Sequence, residues 1–130
     1  MAQHQGAQVV LYVVDPARVA PFYVEVVGFR VVDAAGDFVT LGTDALELHV
    51  IRVPAEHAQR IEIADPPLRR DETPIKVSFA VADIQAAREA AARLGGSIDG
   101  PEAEWTWAGE SHCDGHDPEG NVFQVRTAVP

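Results

Sequence analysis

The chain has 130 residues, of which 47% are apolar, and a formal net charge of −10. This length suits one domain with a buried core. Acids outnumber bases two to one, so nucleic acids and anionic membranes are poor partners, whereas solubility alone explains an acidic surface. We find no apolar run near the roughly 20 residues of a membrane span and no leader-like N-terminus. The single cysteine, Cys113, excludes an intrachain disulfide, and these features favour the cytoplasm.

The first part of the chain predicts one strand, one helix and three further strands. Alternating apolar residues from Gln8 indicate a strand. Asp15 is suited to cap a helix that has Pro16 in its first turn and ends at Gly28. The segments "FRVVD", "DFVTLG" and "ALELHVIRV" then indicate strands, the last two joined by a turn at "GTDA".

The second part repeats this order from Lys76. Asp83 takes the place of Asp15, and Gly95 and Gly96 take the place of Gly28, without a gap. Strand-like pieces follow in "GSID", around "EWTWAG", in "ESHCDGH" and in "NVFQVRT", and "DPEGN" predicts a turn. Each half is therefore predicted as β-α-β-β-β within one domain, with modules at about 8–53 and 75–127. The connecting segment, about 54–74, is rich in proline and charge and predicts a lid or a simple linker.

Two tandem βαβββ modules, with "YVVDPARVAPFYVEVVGF" in the first and "DPEGNVFQV" closing the second, resemble the vicinal oxygen chelate superfamily. This superfamily comprises glyoxalases, bleomycin-resistance proteins and extradiol dioxygenases. The resemblance implies an α+β fold in which each sheet curls into a half-barrel around a cavity, with the helices outside. It also implies either a divalent metal enzyme or a metal-free protein that binds a drug, and in many members a homodimer.

Strand alternation gives a separate indication of the site, because side chains two residues apart share a face. In the first strand Val9, Leu11 and Val13 form an apolar face that should meet the helices. The same reasoning applied to four strands leaves one mixed polar face, which would line the cavity of the resembled fold. Its members are Gln8, Tyr12, Glu47, His49, Lys76, Ser78, Gln124 and Arg126.

The resemblance places its four metal positions at Gln8, Glu47, Lys76 and Gln124. Lys76 stands where a histidine is usual, and a charged ammonium has no lone pair to offer a cation. We therefore predict a metal-free site in which Lys76 replaces the ion. Glu47 would be its counter-ion, and the amide carbonyls of Gln8 and Gln124 would accept its other hydrogens. If a metal binds after all, the expected ligands are Gln8, Glu47 and Gln124.

The densest group of chemically active side chains is "SHCDGHDPEGNVFQVR". His112, Asp114 and His116 would share one strand face and could hold a metal ion, with His49 approaching from elsewhere. The interpretation that we favour is structural, with His116 preparing the turn and His112 at a sheet edge. Cys113 opposes these histidines and is predicted as a small core residue.

Aromatic side chains could complete a ligand site. Trp105 and Trp107 share a face and could stack on a ligand, although the core or a dimer interface would explain them equally well. Phe38 would form a further aromatic wall. Tyr12 and His49 are candidates for acid–base work.

The sequence thus predicts a metal-free, small-molecule-binding protein without a cofactor. Lys76 and Arg126 favour a ligand carboxylate or phenolate, whereas the resemblance favours an organic cation or a drug-like aromatic. The alternatives are a divalent-metal lyase or dioxygenase and a metal-free acid–base enzyme that uses Lys76, Tyr12 or His49. The predicted ligand-binding residues are Gln8, Tyr12, Phe38, Glu47, His49, Lys76, Trp105, Trp107, Gln124 and Arg126.

Overall fold

A computed structural model describes residues 5–130, which form a mixed α+β fold with two open sheets. The first sheet contains four strands in the order β1-β4-β3-β2, in which β1 and β4 are parallel and the other pairs antiparallel. Helix α1 connects its first two strands. The elements of this half are β1 (Ala7–Val13), α1 (Pro16–Val27), β2 (Arg30–Ala35), β3 (Phe38–Gly42) and β4 (Leu46–Arg52).

Helix α1 begins and ends where the sequence predicts. The Asp15 carboxylate accepts a hydrogen bond from the Ala17 N–H at 3.2 Å, and Pro16 occupies the first turn, where no helical donor is needed. Gly28 ends the helix with φ +89°, a left-handed conformation that glycine adopts without steric cost. The Gly28 N–H donates to the Val24 carbonyl at 3.1 Å.

The segment between the halves contains a short helix, α2 (Ala55–Ala58), and is fastened to the second half further along. The Arg69 guanidinium donates two hydrogen bonds to the Asp99 carboxylate, at 3.1 and 2.8 Å. The Arg70 N–H donates to the Gly120 carbonyl at 2.8 Å. At Gly120 a Cβ atom would lie 2.0 Å from the Leu68 carbonyl oxygen, so only glycine permits this close approach.

The second sheet has the order β5-β9-β8-β6, and the short strand β7 also pairs with β8. The four strand-like pieces found in the sequence after the helix are all strands, so this half has one strand more than the β-α-β-β-β repeat allows, because the edge position is divided. β6 pairs with one end of β8 and β7 with the other, and a 3-10 turn at Pro101–Ala103 separates them, since proline has no N–H for a sheet. The elements are β5 (Val77–Ala80), α3 (Ile84–Arg93), β6 (Ser97–Ile98), β7 (Trp105–Trp107), β8 (Glu110–His116) and β9 (Val122–Ala128).

The helical sides of the sheets meet in one core, and aromatic rings join the two halves there. Tyr23 on α1 lies 5.9 Å from both Phe79 on β5 and Phe123 on β9, measured between ring centroids. Phe22 lies 5.8 Å from Phe123, and Phe29 lies 5.6 Å from Phe79. These contacts are edge-to-face, the arrangement that aromatic quadrupoles favour. No helix among residues 5–130 is long and apolar enough to cross a membrane.

The turn between β8 and β9 carries two buried carboxylates that also bind the first half. Asp117 is completely buried and accepts a 2.8 Å hydrogen bond from the Tyr23 hydroxyl. Glu119 is 4% exposed and accepts hydrogen bonds from the backbone N–H groups of Val14 and Asp15, both at 2.8 Å. The turn predicted at "DPEGN" is confirmed, and it also fixes the start of α1 against the second half.

Replacing Tyr23 with Phe tests this connection. We expect Tyr23→Phe to lower the free energy of unfolding by about 1.5–3 kcal/mol, the range for a hydrogen bond to a charged group. Urea unfolding followed by circular dichroism measures the difference. An unchanged free energy of unfolding would show that the Tyr23–Asp117 bond does not hold the halves together.

The same residue predicts an alkaline instability. Burial, and then the neighbouring Asp117, raise the pKa of Tyr23 well above that of an unfolded tyrosine. A raised pKa in the folded state leaves this stabilisation complete below about pH 10, and it is lost as the pH rises towards the folded-state pKa. Unfolding measured between neutral and strongly alkaline pH should show a smaller alkaline loss in Tyr23→Phe than in the parent protein.

Candidate functional site: two open sheet faces

Each sheet has a face directed away from the helices, which we call its open face. Cross-strand pairing places nine of the ten predicted site residues on these faces, and Lys76, directly before β5, reaches the second face through its contact with Asp114. The first sheet carries Gln8, Tyr12, Phe38, Glu47 and His49. The second carries Lys76, Trp105, Trp107, Gln124 and Arg126.

A polar cluster on the first open face centres on Glu47. The Gln8 side-chain amide donates to Glu47 Oε1 at 3.1 Å. His49 Nε2 lies 3.2 Å from the same oxygen, but the ring nitrogen is not directed at it, so the contact is electrostatic and not a hydrogen bond. The Thr40 hydroxyl lies 3.3 Å from His49 Nδ1. Tyr12 is 60% exposed, and the described contacts do not connect it with this cluster.

Lys76 belongs to a separate cluster on the second open face, and within one chain it does not form the predicted ion pair with Glu47. Lys76 Nζ donates to Asp114 Oδ2 at 2.8 Å, and the Gln124 amide nitrogen donates to Asp114 Oδ1 at 3.2 Å. The reason is the strand order: Asp114 and Gln124 are cross-strand partners in the sheet of Lys76, whereas Glu47 lies in the other sheet beside Gln8.

Arg126 is held by the same open face. Its Nη1 donates to the Ser78 carbonyl at 2.8 Å and approaches the Ser78 hydroxyl at 3.3 Å. Its Nε lies 3.4 Å from the Glu110 carboxylate. Among the described residues these contacts involve Nη1 and Nε, so the donors on Nη2 stay available to a ligand.

The tryptophans lie beside His112. Trp105 stacks on the imidazole with a centroid distance of 5.5 Å, and His112 Nε2 lies 3.2 Å from the Trp107 carbonyl. His112 is 4% exposed and β8 is flanked on both sides, so its predicted edge position is wrong. Trp105 and Trp107 are 40% and 69% exposed, which removes the core interpretation and leaves ligand stacking or an interface.

Cys113 is completely buried, which confirms its prediction as a core residue. It faces the helical side of β8, opposite in alternation to His112. Its thiol lies 3.2 Å from the Asp99 carbonyl, to which it donates. Burial raises the pKa of the Cys113 thiol, although nearby Arg88 opposes that change, so the reactive thiolate is disfavoured.

The residues at the implied metal positions do not suit a divalent ion. Glu47 is the single carboxylate there, Gln8 and Gln124 turn their amide nitrogens towards carboxylates, and Lys76 is a cation. The alternative metal site of His112, Asp114 and His116 is also unsuitable, because Asp114 already binds Lys76. Among residues 5–130 no three His, Cys, Asp or Glu side chains are placed to hold a metal ion.

Sequence reasoning missed two residues of these clusters and misassigned a third. Thr40 is the cross-strand partner of His49, and alternation from Phe38 would have found it. Glu110 lies two residues before His112 and is found in the same way. The sequence suggests Asp114 as a metal ligand, whereas in the structure it pairs with Lys76 and Gln124. That pairing depends on the β8–β9 register, which the sequence of one strand does not reveal.

Comparison with known families identifies the domain. A family model described as a glyoxalase-like domain matches residues 8–126. The chain belongs to this glyoxalase-like family and thereby to the vicinal oxygen chelate superfamily. The resemblance found in the sequence is confirmed. The search of curated proteins gives no match.

Solved structures of the superfamily share the fold of this glyoxalase-like protein. A glyoxalase/bleomycin resistance protein/dioxygenase family enzyme from Burkholderia phytofirmans PsJN is 20% identical, with a TM-score of 0.67 and coverage of 94% of this chain and 97% of that one. A glyoxalase/bleomycin resistance protein from Albidiferax ferrireducens T118 is 16% identical, with the same TM-score and coverages. The fosfomycin resistance protein FosX from Mesorhizobium loti is 11% identical, with a TM-score of 0.61 and coverages of 99% and 94%.

The stacking of Trp105 on His112 predicts different roles for the two tryptophans. Trp105→Ala should lower the free energy of unfolding by about 1 kcal/mol more than Trp107→Ala, the value of an aromatic pair beyond its buried area. Urea unfolding of both variants measures this. Trp107 also contacts His112, in a tilted arrangement with ring centroids 6.0 Å apart, so equal losses would show that the stack adds nothing beyond such a contact.

Proposed function

We propose that this glyoxalase-like protein binds a small organic molecule on its open faces without using a metal ion. The observation that carries the proposal is the 2.8 Å contact between Lys76 and Asp114. This contact puts an ion-paired ammonium at an implied metal position, on the same face as two exposed tryptophans. An ammonium there has no lone pair to offer a divalent ion, and it already binds the neighbouring carboxylate.

The ligand class that the second open face fits best is a planar aromatic anion. Trp105 and Trp107 expose ring surface for stacking. Arg126 keeps Nη2 donors, and Lys76 has three ammonium hydrogens, of which Asp114 accepts one. A carboxylate or phenolate oxygen near these donors would gain charge-assisted hydrogen bonds. Because Asp114 and Glu110 also lie there, the ligand's oxygens must approach the donors from the open side.

We further propose that each sheet curves as a half-barrel and that a cavity forms where two open faces meet. The first face would supply Gln8, Tyr12, Phe38, Glu47 and His49, and the second the tryptophans and cations. A homodimer in the cytoplasm would bring the two faces together, because exposed aromatic and aliphatic side chains such as Tyr12 and Val10 then become covered.

Three probes with one ring system and different head groups test the ligand class: 2-naphthoate, 2-naphthylmethylamine and 2-naphthylmethanol. The chain has only two tryptophans, so their indole N–H signals in a ¹⁵N NMR spectrum report directly on this face. We expect 2-naphthoate to shift both signals at the lowest concentration. Arg126→Gln should weaken naphthoate binding about tenfold, in the range of one charge-assisted hydrogen bond.

Arg93→Gln is the matched control, because Arg93 is exposed on α3 and should leave binding unchanged. Preference for the amine would contradict the proposed ligand class. The absence of indole shifts with all three probes would contradict binding on this face.

Lys76→Met separates a ligand-binding role from a structural one. The pair is partly exposed, with side-chain exposures of 37% for Lys76 and 27% for Asp114. Its loss should therefore change the free energy of unfolding by no more than about 1 kcal/mol. Naphthoate affinity should fall several-fold. Unchanged affinity would show that Lys76 is not a ligand-binding cation.

A second function is favoured by the cluster around His49. The imidazole lies between the Thr40 hydroxyl, 3.3 Å away, and the Glu47 carboxylate, 3.2 Å away. An imidazole placed between a hydroxyl and a carboxylate has its orientation fixed, so His49 could remove a proton from a bound substrate as a general base. This would be metal-free acid–base catalysis.

Proton exchange tests this second function. Dihydroxyacetone in D₂O exchanges carbon-bound protons when a base removes them, and ¹H NMR follows the loss of signal. His49→Gln should abolish any exchange above the buffer rate, whereas His57→Gln, which changes an exposed histidine on α2, should retain it. Exchange that persists in His49→Gln would contradict a catalytic role for this cluster.

A further inference from the structure

A second candidate site lies on the helical side of the first sheet, opposite the open face. Helix α1 covers β3 and β4 but leaves the helix-facing side chains of the edge strand β2 uncovered, and Val31 is 58% exposed. The space between α1 and β2 is a groove of about 390 Å³. This is within the usual size range of small-molecule pockets.

The groove is apolar except for acceptors of hydrogen bonds. Ala17, Pro21 and Val24 line one wall, and Val31 and Ala34 line the other. Glu25 is the only ionisable residue among those that line it, and none of the described contacts pairs its exposed carboxylate with a cation.

Pro21 changes the backbone hydrogen bonding of α1 beside the groove. Within a helix the N–H of residue 21 would donate to the carbonyl of residue 17, but proline has no N–H. The Ala17 carbonyl is therefore denied its usual helical donor, and Ala17 and Pro21 both line the groove. Glu25 lies eight residues from Ala17, about 12 Å along the helix axis, so its carboxylate is a separate contact at the other end of the groove.

We propose that this groove is a binding site for a small amphiphilic amine. An aliphatic body would cover the apolar walls, and the ammonium would donate hydrogen bonds to the Glu25 carboxylate. Charge complementarity selects this occupant, since the groove offers a carboxylate and no cation, and the whole chain carries a net charge of −10. The site is independent of the open faces, because Val39 points into the groove while Thr40 points to the opposite side.

Three six-carbon probes test the proposal: n-hexylamine, 1-hexanol and hexanoate. Methyl ¹³C NMR of valine-labelled protein detects Val24, Val31 and Val39 in the groove. We expect hexylammonium to shift these methyl signals with about three- to tenfold higher affinity than hexanol, the range of a partly exposed charge contact, and hexanoate to bind most weakly. Glu25→Gln should remove the preference for the amine. The control Glu89→Gln, on the exposed side of α3, should keep it.

The variant Ala34→Trp tests whether the probes bind in this groove and not elsewhere on the protein. Ala34 is exposed on β2, so a tryptophan there fills the groove without entering the core, and circular dichroism verifies the fold. We expect this variant to lose binding of all three probes.

Equal affinities in the parent protein, or binding that survives Ala34→Trp, would overturn the proposal. So would sedimentation as a dimer that Ala34→Trp dissociates, since a second copy would then be the occupant. Because the tryptophan indoles report the open face separately, failure here leaves the proposed function unaffected.

Discussion

The arrangement of the two halves depends on the buried carboxylates of the β8–β9 turn. Asp117 and Glu119 are almost fully inaccessible, and a buried charge is costly unless hydrogen bonds compensate it. Here the donors come from both halves: the Tyr23 hydroxyl, and the backbone N–H groups of Val14 and Asp15. Burial of the turn is therefore possible only when α1 lies against the second half.

This constraint determines which faces remain for function. With α1 and its aromatic rings between the sheets' helical sides, the apolar members of each strand are buried and the mixed polar members are left on the open faces. On the second face, Lys76 and Gln124, which stand at two implied metal positions, both bind Asp114. We propose a ligand site there, in which the donor chemistry favours an organic anion over a divalent ion.

The sequence predicts features that depend on local chemistry. Asp15 and Gly28 mark the helix ends because a cap and a left-handed glycine are local requirements, and alternation assigns Gln8 and His49 to a common face. The sequence does not predict features that depend on which strands are neighbours in a sheet. The partner of Lys76 follows from the β8–β9 register, and the shared pairing of β6 and β7 with one edge of β8 is visible only in the structure.

The most direct test of the metal-free site is metal content per chain. Untagged protein purified without chelator would be loaded separately with nickel, zinc, manganese and iron, dialysed, and measured by elemental mass spectrometry. The Lys76–Asp114 pairing predicts metal far below one ion per chain in every case. Near-stoichiometric binding that Glu47→Gln abolishes would contradict the account and restore the superfamily's metal chemistry to this protein.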